Sequence, residues 1–247
     1  MKQKLEKSKR NENEKYGAFI KERENYDKLV ESASNSRFIL DASTAYLPSK
    51  KAAENVAGYN SEAKIIICLR NPITRAYSHF NMAVKYGKEK RSFLEALKDE
   101  AELNARWGWE ECYLELGMYA PQIKRWFQHF DQKQIHMVWH DQMLINPINT
   151  LQEVQKFLGL SEPLKLAEEI HGAEVPKNKF AKMLVGFGPR AASILPAELK
   201  QKAKNLLLEK PKVMNDAARS FLLRYFAASI EELEVLLNRD LTHWKEI

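Results

Sequence analysis

Short apolar runs alternate with longer stretches of helical periodicity along the chain. The run Ile65–Leu69 is rich in β-branched residues and bounded by polar ones, which is typical of a parallel strand covered on both faces. The pattern also predicts a buried strand at Phe38–Leu40 and a third strand at Gln134–Trp139. Strands that are separated by helices indicate an α/β fold with a parallel sheet. Three strands are few for such a sheet, so either edge strands are not evident or part of the sheet is missing.

Capping residues and prolines mark the helix boundaries. Asn71 and Asn146 each precede a proline, so a side-chain cap stands before a residue suited to the first helical turn. Ser92 and Glu95 form a capping box, and Gly159 is suited to a left-handed C-terminal cap. The last predicted helix has the apolar spacing of a helix that faces the core. One predicted helix begins at this capping box. The other predicted helices cover residues 12–30, 48–57, 72–87, 117–130, 147–158, 196–211 and 216–238.

Composition limits the class of protein. The chain has 247 residues, a net charge of +6 and 45% hydrophobic residues, which suffices for a single domain over residues 1–247. Residues 1–15 are expected to be flexible. The two cysteines, Cys68 and Cys112, exclude a disulfide scaffold and a zinc ribbon. Because no metal-ligand spacing, no apolar run near the ~20 residues of a membrane span and no signal peptide is evident, we expect a cytoplasmic protein without a metal site.

Positive charge is concentrated in two segments, residues 1–28 and 165–212. The second segment contains ten basic and five acidic residues. Such a segment binds nucleic acid, an anionic membrane surface or a phosphorylated ligand, or it forms a solvated helix surface. The chain has neither a run of consecutive basic residues there nor an RNA-binding aromatic motif, so nucleic acid is not the expected partner.

One junction between a strand and a helix carries residues suited to phosphate. Arg70 follows the predicted strand Ile65–Leu69 at its carboxyl end, where ligands bind in open α/β sheets. Its guanidinium can hold a phosphate in bidentate fashion. Thr74 and Ser78 share one face of the next helix, and Ser78 leans back toward a helix N-terminus that attracts anions. The alternative is an ordinary junction with Arg70 in a salt bridge and Ser78 exposed.

The segment Leu69–His79 reads Leu-Arg-Asn-Pro-Ile-Thr-Arg-Ala-Tyr-Ser-His. It resembles the 3′-phosphate-binding motif of sulfotransferases that use 3′-phosphoadenosine 5′-phosphosulfate (PAPS). Four other segments resemble the family in the same order, and the last of them is typical of bacterial members and the heparan-sulfate branch: Leu40–Leu47, Tyr113–Tyr119, Gln155–Leu160 and Asn238–Trp244. The resemblance implies a three-layer fold of P-loop type, with a parallel sheet flanked by helices.

The resemblance also implies roles for five residues. Arg70 and Ser78 would bind the 3′-phosphate of PAPS, and Ser43 would face the reaction cleft and the substrate. Lys177 and Lys179 stand where the family has a loop that closes over the nucleotide, so the late basic segment is expected to be a helical lid. The implied activity moves a sulfuryl group from PAPS to a hydroxyl or amine of a carbohydrate, lipid or small metabolite. By itself this transfer needs no metal.

The chain departs from the family at its start. Members begin with a strand and a phosphate loop for the 5′-phosphosulfate, often followed by the usual base, and nothing before Gly58 resembles them. We therefore expect the N-terminal strand to be missing, and we assign no catalytic base; His136 and His140 flank the third predicted strand, and His136 is expected to pack or cap. The chain is either an active sulfotransferase or an impaired member that retains only a 3′-phosphoadenosine pocket. A basic nucleic-acid-binding protein is a third interpretation. A missing central strand would expose sheet edges, which predicts a homodimer or poor solubility.

Overall fold

A computed structural model describes most of the chain as two compact units, Met1–Thr44 and Ala45–Ile247. The described residues are 23–31, 36–102, 112–162, 164, 175–178, 206–209 and 212–246. Helix α1 (Arg23–Glu31) belongs to the first unit, where the hydroxyl of Tyr26 donates a hydrogen bond to Asp41 Oδ2 at 3.0 Å. The single domain over residues 1–247 stays a prediction.

The predicted buried strand at Phe38–Leu40 is wrong. These residues form no strand, and their side chains are exposed, with Leu40 at 85%. A strand is held by hydrogen bonds to a neighbouring strand, and within the described ranges the only strand pairs lie in the second unit. An apolar run without such a neighbour does not become a strand.

The second unit contains all the described strands and most of the described helices. Its elements in chain order are α2 (Ala52–Tyr59), β1 (Ile65–Leu69), α3 (Pro72–Lys85), α4 (Phe93–Glu102), α5 (Tyr119–Phe127), β2 (Ile135–Trp139), α6 (His140–Ile145), α7 (Pro147–Leu158), β3 (Val175–Pro176), β4 (Leu208–Glu209) and α8 (Asp216–Leu237). Three short 3₁₀ turns occupy Glu115–Gly117, Gln132–Gln134 and Thr242–Trp244. No helix in the described ranges is long and apolar enough to cross a membrane.

Strands β1 and β2 form a parallel pair, as predicted, in a register that runs from Ile65 opposite Ile135 to Leu69 opposite Trp139. Burial alternates along β1, since Ile67 and Leu69 are buried whereas Ile66 and Cys68 are exposed. The prediction that this strand is covered on both faces is therefore wrong. One face packs on the core and the other carries apolar side chains that remain accessible.

Local capping signals gave correct helix boundaries. The Asn71 side chain accepts a hydrogen bond from the N–H of Ile73 at 2.9 Å, which caps α3 as predicted. Ser92 and Glu95 exchange the two bonds of a capping box at 2.8 and 3.3 Å. Gly159 ends α7 with a φ of 69°, the left-handed conformation expected of it.

Helix α8 supplies one wall of the core. Its buried apolar side chains follow the predicted helical spacing, namely Ala218, Leu222, Phe226, Ile230 and Leu233. They contact the rest of the core cluster, which includes Leu69 at the end of β1 and Ile73 at the start of α3. The core therefore fixes the junction between β1 and α3, where the sequence places its candidate phosphate site.

Candidate functional site

The candidate site lies at the carboxyl edge of the parallel pair. Arg70 directly follows β1 and His140 directly follows β2. Because Leu69 stands opposite Trp139, these two residues occupy the next register position, on neighbouring strands. In open α/β sheets this edge is where ligands bind.

Arg70 is half-buried and oriented by the helix that follows it. Its Nε donates a hydrogen bond to Thr74 Oγ1 at 3.2 Å, and that hydroxyl donates in turn to the carbonyl of Asn71 at 3.2 Å. Burial lowers the pKa of the guanidinium, but a guanidinium stays protonated at neutral pH. No carboxylate among the described residues forms an ion pair with Arg70. The described residues therefore leave its charge available to an anionic ligand.

Ser78 lies one helical turn beyond Thr74, on the same face of α3. The residue is half-buried, and the described part of the chain holds no hydrogen-bond partner for its hydroxyl. Helical side chains lean toward the N-terminus, so the hydroxyl points toward the end of the helix where Arg70 lies. The structure thus brings Arg70 and Ser78 to one junction, with Thr74 between them.

Two segments that are distant in the sequence form hydrogen bonds to this junction. The hydroxyl of Tyr119 donates a hydrogen bond to the carbonyl of Arg70 at 2.8 Å, and burial raises the pKa of Tyr119, so the donor stays protonated. The side-chain amide of Asn71 donates to the carbonyl of Trp244 at 2.9 Å, in a buried position. Three segments that are far apart in the sequence therefore meet at two consecutive residues.

Gly117, two residues before Tyr119, stands where the packing leaves no room for a side chain. A Cβ at this position would lie 2.7 Å from Cζ of Phe226 and 3.0 Å from Cβ of Pro72. The 3₁₀ turn can therefore approach the start of α3 only without a side chain. This close contact between the turn, α3 and α8 helps to place the Tyr119 hydroxyl within hydrogen-bonding distance of the Arg70 carbonyl.

We expect the substitution Gly117→Ala to lower the free energy of unfolding by about 1–3 kcal/mol, because the added methyl group overpacks a filled core. Chemical denaturation measures this loss. The control is Gly58→Ala, because a Cβ at Gly58 in α2 meets nothing within 4 Å and alanine favours a helix by about 0.5–1 kcal/mol. Equal stability of the two variants would contradict the packing role of Gly117.

His140 is the residue of this edge to which sequence analysis gave no role. It is half-buried, and its pKa is lowered by burial and by the positive charge of Arg70, with the carboxylate of Asp141 acting in the opposite direction. The signal that could have found it is the register, since residues that follow paired parallel strands become neighbours. His136, on the same strand, stacks on the ring of Phe157, in agreement with the expectation that it packs.

The C-terminal turn also reaches this edge. His243 Nε2 lies 2.8 Å from Asp141 Oδ2. Burial raises the pKa of Asp141, but hydrogen bonds from His243 and from the backbone outweigh it and lower the pKa. The guanidinium of Arg239 stacks on Trp139, 4.1 Å from the ring centroid. Side chains of the C-terminal segment therefore contact both residues that flank His140, Trp139 and Asp141.

The basic segment is described only at residues 175–178, 206–209 and 212. Strands β3 and β4 pair antiparallel there, and the N–H of Lys177 donates to the carbonyl of Leu207 at 2.9 Å. The hydroxyl of Tyr77 donates to the carbonyl of Lys212 at 2.7 Å, which attaches the end of this segment to α3 beside Ser78. The predicted helix over 196–211 does not reach its expected end, because Leu208–Glu209 forms β4.

The remaining predicted site residues belong to other parts of the chain. Lys179 lies outside the described residues, as does most of the basic segment. Ser43 is exposed and belongs to the first compact unit. No cluster of three or more histidine, cysteine or acidic side chains that could hold a metal ion occurs in the ranges the structure describes.

Comparisons with known proteins identify the kind of domain. The family model described as "Sulfotransferase domain" matches residues 7–184. A "Bifunctional heparan sulfate N-deacetylase/N-sulfotransferase 1" from Xenopus laevis is 30% identical over 218 residues, which cover 84% of this chain and 23% of the relative. "Heparan sulfate glucosamine 3-O-sulfotransferase 5" from Homo sapiens is 28% identical over 154 residues, which cover 60% of this chain and 42% of the relative. The matches thus span less than half the length of these relatives.

A solved structure has the same fold. The sulfotransferase from Alicyclobacillus acidocaldarius superposes with a TM-score of 0.67 at 24% sequence identity, over 92% of this chain and 75% of that one. The likeness confirms the predicted fold class, a parallel sheet flanked by helices.

Proposed function

Because the chain belongs to the sulfotransferase domain family, we propose that it transfers a sulfuryl group from PAPS to a hydroxyl or amine acceptor. The relatives named above are sulfotransferases of heparan sulfate. A carbohydrate of the glycosaminoglycan type is therefore the acceptor class that we favour, ahead of a lipid or a small metabolite.

The observation that carries this proposal is the guanidinium of Arg70, which has no described carboxylate partner and is held at the carboxyl edge by Thr74. Together with the Ser78 hydroxyl and the N-terminus of α3, it fits a phosphate group. In the proposal Arg70 and Ser78 bind the 3′-phosphate of PAPS. When bound, PAPS supplies the sulfuryl group that is transferred.

Two lysines of the basic segment are proposed to contact the nucleotide. Lys177 follows β3, and β3 packs against α3, the helix that carries Ser78. Its ammonium, together with that of Lys179, would neutralise negative charge on the nucleotide. Ser43 is proposed to face the acceptor. The homodimer, the cytoplasmic location and the lid role of residues 165–212 stay predictions.

Calorimetric titration tests the phosphate site directly. We expect 3′,5′-adenosine bisphosphate to bind about tenfold to hundredfold more tightly than adenosine 5′-monophosphate, because only the first ligand carries the 3′-phosphate for a charge-assisted hydrogen bond. Equal binding of the two nucleotides would contradict the proposed 3′-phosphate site. Salt-dependent binding to DNA that the bisphosphate does not compete away would instead support the nucleic-acid interpretation.

A transfer assay then separates an active enzyme from a binding protein. Labelled PAPS is offered with N-deacetylated heparosan, which presents amines, and with N-sulfated heparosan, which presents only hydroxyls. Label in the first acceptor alone indicates N-sulfation, and label in the second indicates O-sulfation. Binding of the bisphosphate without transfer to either polymer would favour the impaired member that retains only a nucleotide pocket.

A further inference from the structure

Arg70 and His140 are neighbours on one face of the sheet edge. Directly paired residues of parallel strands project to the same face, and the side chains alternate along each strand. Ile66 pairs with His136 and Cys68 pairs with Val138, and the register ends at Leu69 opposite Trp139. Extending it by one position places Arg70 and His140, the first residue of α6, next to each other on the face of Cys68 and Val138. Burial and then the positive charge of Arg70 both lower the pKa of His140.

The charged and titratable groups around His140 come from five elements. Arg70 at the end of β1 opposes its protonation, and Asp141, the next residue of α6, favours it. From the C-terminal turn, His243 Nε2 lies 2.8 Å from Oδ2 of Asp141.

The remaining two elements contribute less. Helix α7 packs against α6 and carries two charged residues, Glu153 and Lys156. Glu153 accepts a hydrogen bond from Asn149 at 3.0 Å, and Lys156 is exposed. After α8, Arg239 lies on the ring of Trp139. Arg70 is thus the charge that disfavours protonation of His140 in the free protein.

A phosphate bound to Arg70 would reverse this balance. Its negative charge offsets the guanidinium, and a protonated imidazole can donate a charge-assisted hydrogen bond to a phosphate oxygen. We propose that His140 is a second anion-binding side chain of this site and takes up a proton from solution when a phosphate group binds to Arg70. The proposal rests on the proposed function, because it needs a nucleotide phosphate at this edge.

The sign of the pH dependence follows from this coupling. Binding that takes up a proton becomes weaker as the pH rises through the pKa of His140 in the complex. The free-state pKa of His140 lies below its ordinary value, so the full benefit is present only at acid pH. The ligand's own phosphate group also titrates near pH ~6, and comparison with a variant that lacks the imidazole removes that contribution.

The experiment counts protons by calorimetry. 3′,5′-Adenosine bisphosphate is titrated into the protein near neutral pH in buffers of different ionisation enthalpy, and the dependence of the observed heat on that enthalpy gives the number of protons taken up. We expect greater uptake by the parent chain than by His140→Asn. The variant should bind about tenfold more weakly near pH ~6 and approach the parent as the pH rises by two units. His129→Asn, which changes an exposed histidine after α5, should behave like the parent.

A lysine separates charge from titration at this position. His140→Lys keeps a cation beside the phosphate, so we expect it to bind the bisphosphate without the additional proton uptake. Equal proton uptake by the parent and His140→Asn would overturn the role of His140 while leaving the phosphate site intact. Absence of bisphosphate binding by the parent would overturn the proposed function and this inference together.

Discussion

Replacing Arg70 with alanine is expected to weaken the binding of 3′,5′-adenosine bisphosphate about tenfold to hundredfold. The basis is the loss of a charge-assisted hydrogen bond to phosphate, which contributes about 1.5–3 kcal/mol. Arg70→Lys keeps the positive charge but loses the planar fork and the Nε bond to Thr74, so its affinity should be intermediate. Calorimetric titration of the three proteins gives the order of affinities.

The matched control for this variant is Arg224→Ala. Arg224 is exposed on α8, so its removal changes the net charge by the same amount without touching the sheet edge. Binding by this variant should equal binding by the parent. If Arg70→Ala and Arg224→Ala lose affinity equally, the effect comes from net charge, and Arg70 has no special place in the site.

Replacing Glu89 with glutamine is expected to lower the free energy of unfolding by about 3 kcal/mol at neutral pH. The carboxylate is 3% exposed and accepts hydrogen bonds from the Arg91 guanidinium at 2.7 and 3.0 Å and from the Tyr113 hydroxyl at 3.0 Å. Burial raises its pKa, but these bonds and those from the N–H groups of Lys90 and Arg91 outweigh it and lower the pKa to about 2. Glutamine keeps the shape and removes the charge.

The contribution of Glu89 to the stability of the parent should be lost in acid. Because the folded-state pKa lies below the ordinary value of 4.5, the contribution is complete above about pH 4.5 and is lost as the pH falls toward about 2. Denaturation across this range should show a steeper acid loss for the parent than for Glu89→Gln. Glu62→Gln, at an exposed position, should change the stability by less than about 0.5 kcal/mol. A Glu89→Gln variant as stable as this control would contradict the role of the buried carboxylate.

Local signals predicted the parts of the fold that depend on neighbouring residues. The N-cap at Asn71, the left-handed turn at Gly159 and the apolar spacing of α8 are all confirmed, because each is decided within a few residues. The composition of Ile65–Leu69 predicts a strand, and the helices between it and β2 predict parallel pairing. The predicted cover on both faces is wrong, because the exposure of one face depends on which distant elements pack on it.

These local signals do not predict contacts between residues that are distant in the sequence. Phe38–Leu40 has the composition of a strand, but a strand also needs a partner, and the sequence does not reveal whether one is present. His140 follows a predicted strand, yet only the pairing of β1 with β2 places it beside Arg70. The roles of Arg70 and Ser78 in binding stay predictions, although the structure brings both to one junction.

The hydrogen bond from Asn71 to the carbonyl of Trp244 has a consequence for the order of events during synthesis. The two residues are 173 positions apart, so the amide at the start of α3 waits for its acceptor while the rest of the second unit is translated. At about 5–20 residues per second this takes roughly ten to thirty seconds. The junction between β1 and α3 therefore lacks its contact with the C-terminal turn until Trp244 has been synthesised, so we expect this junction to be among the last parts of the unit to form.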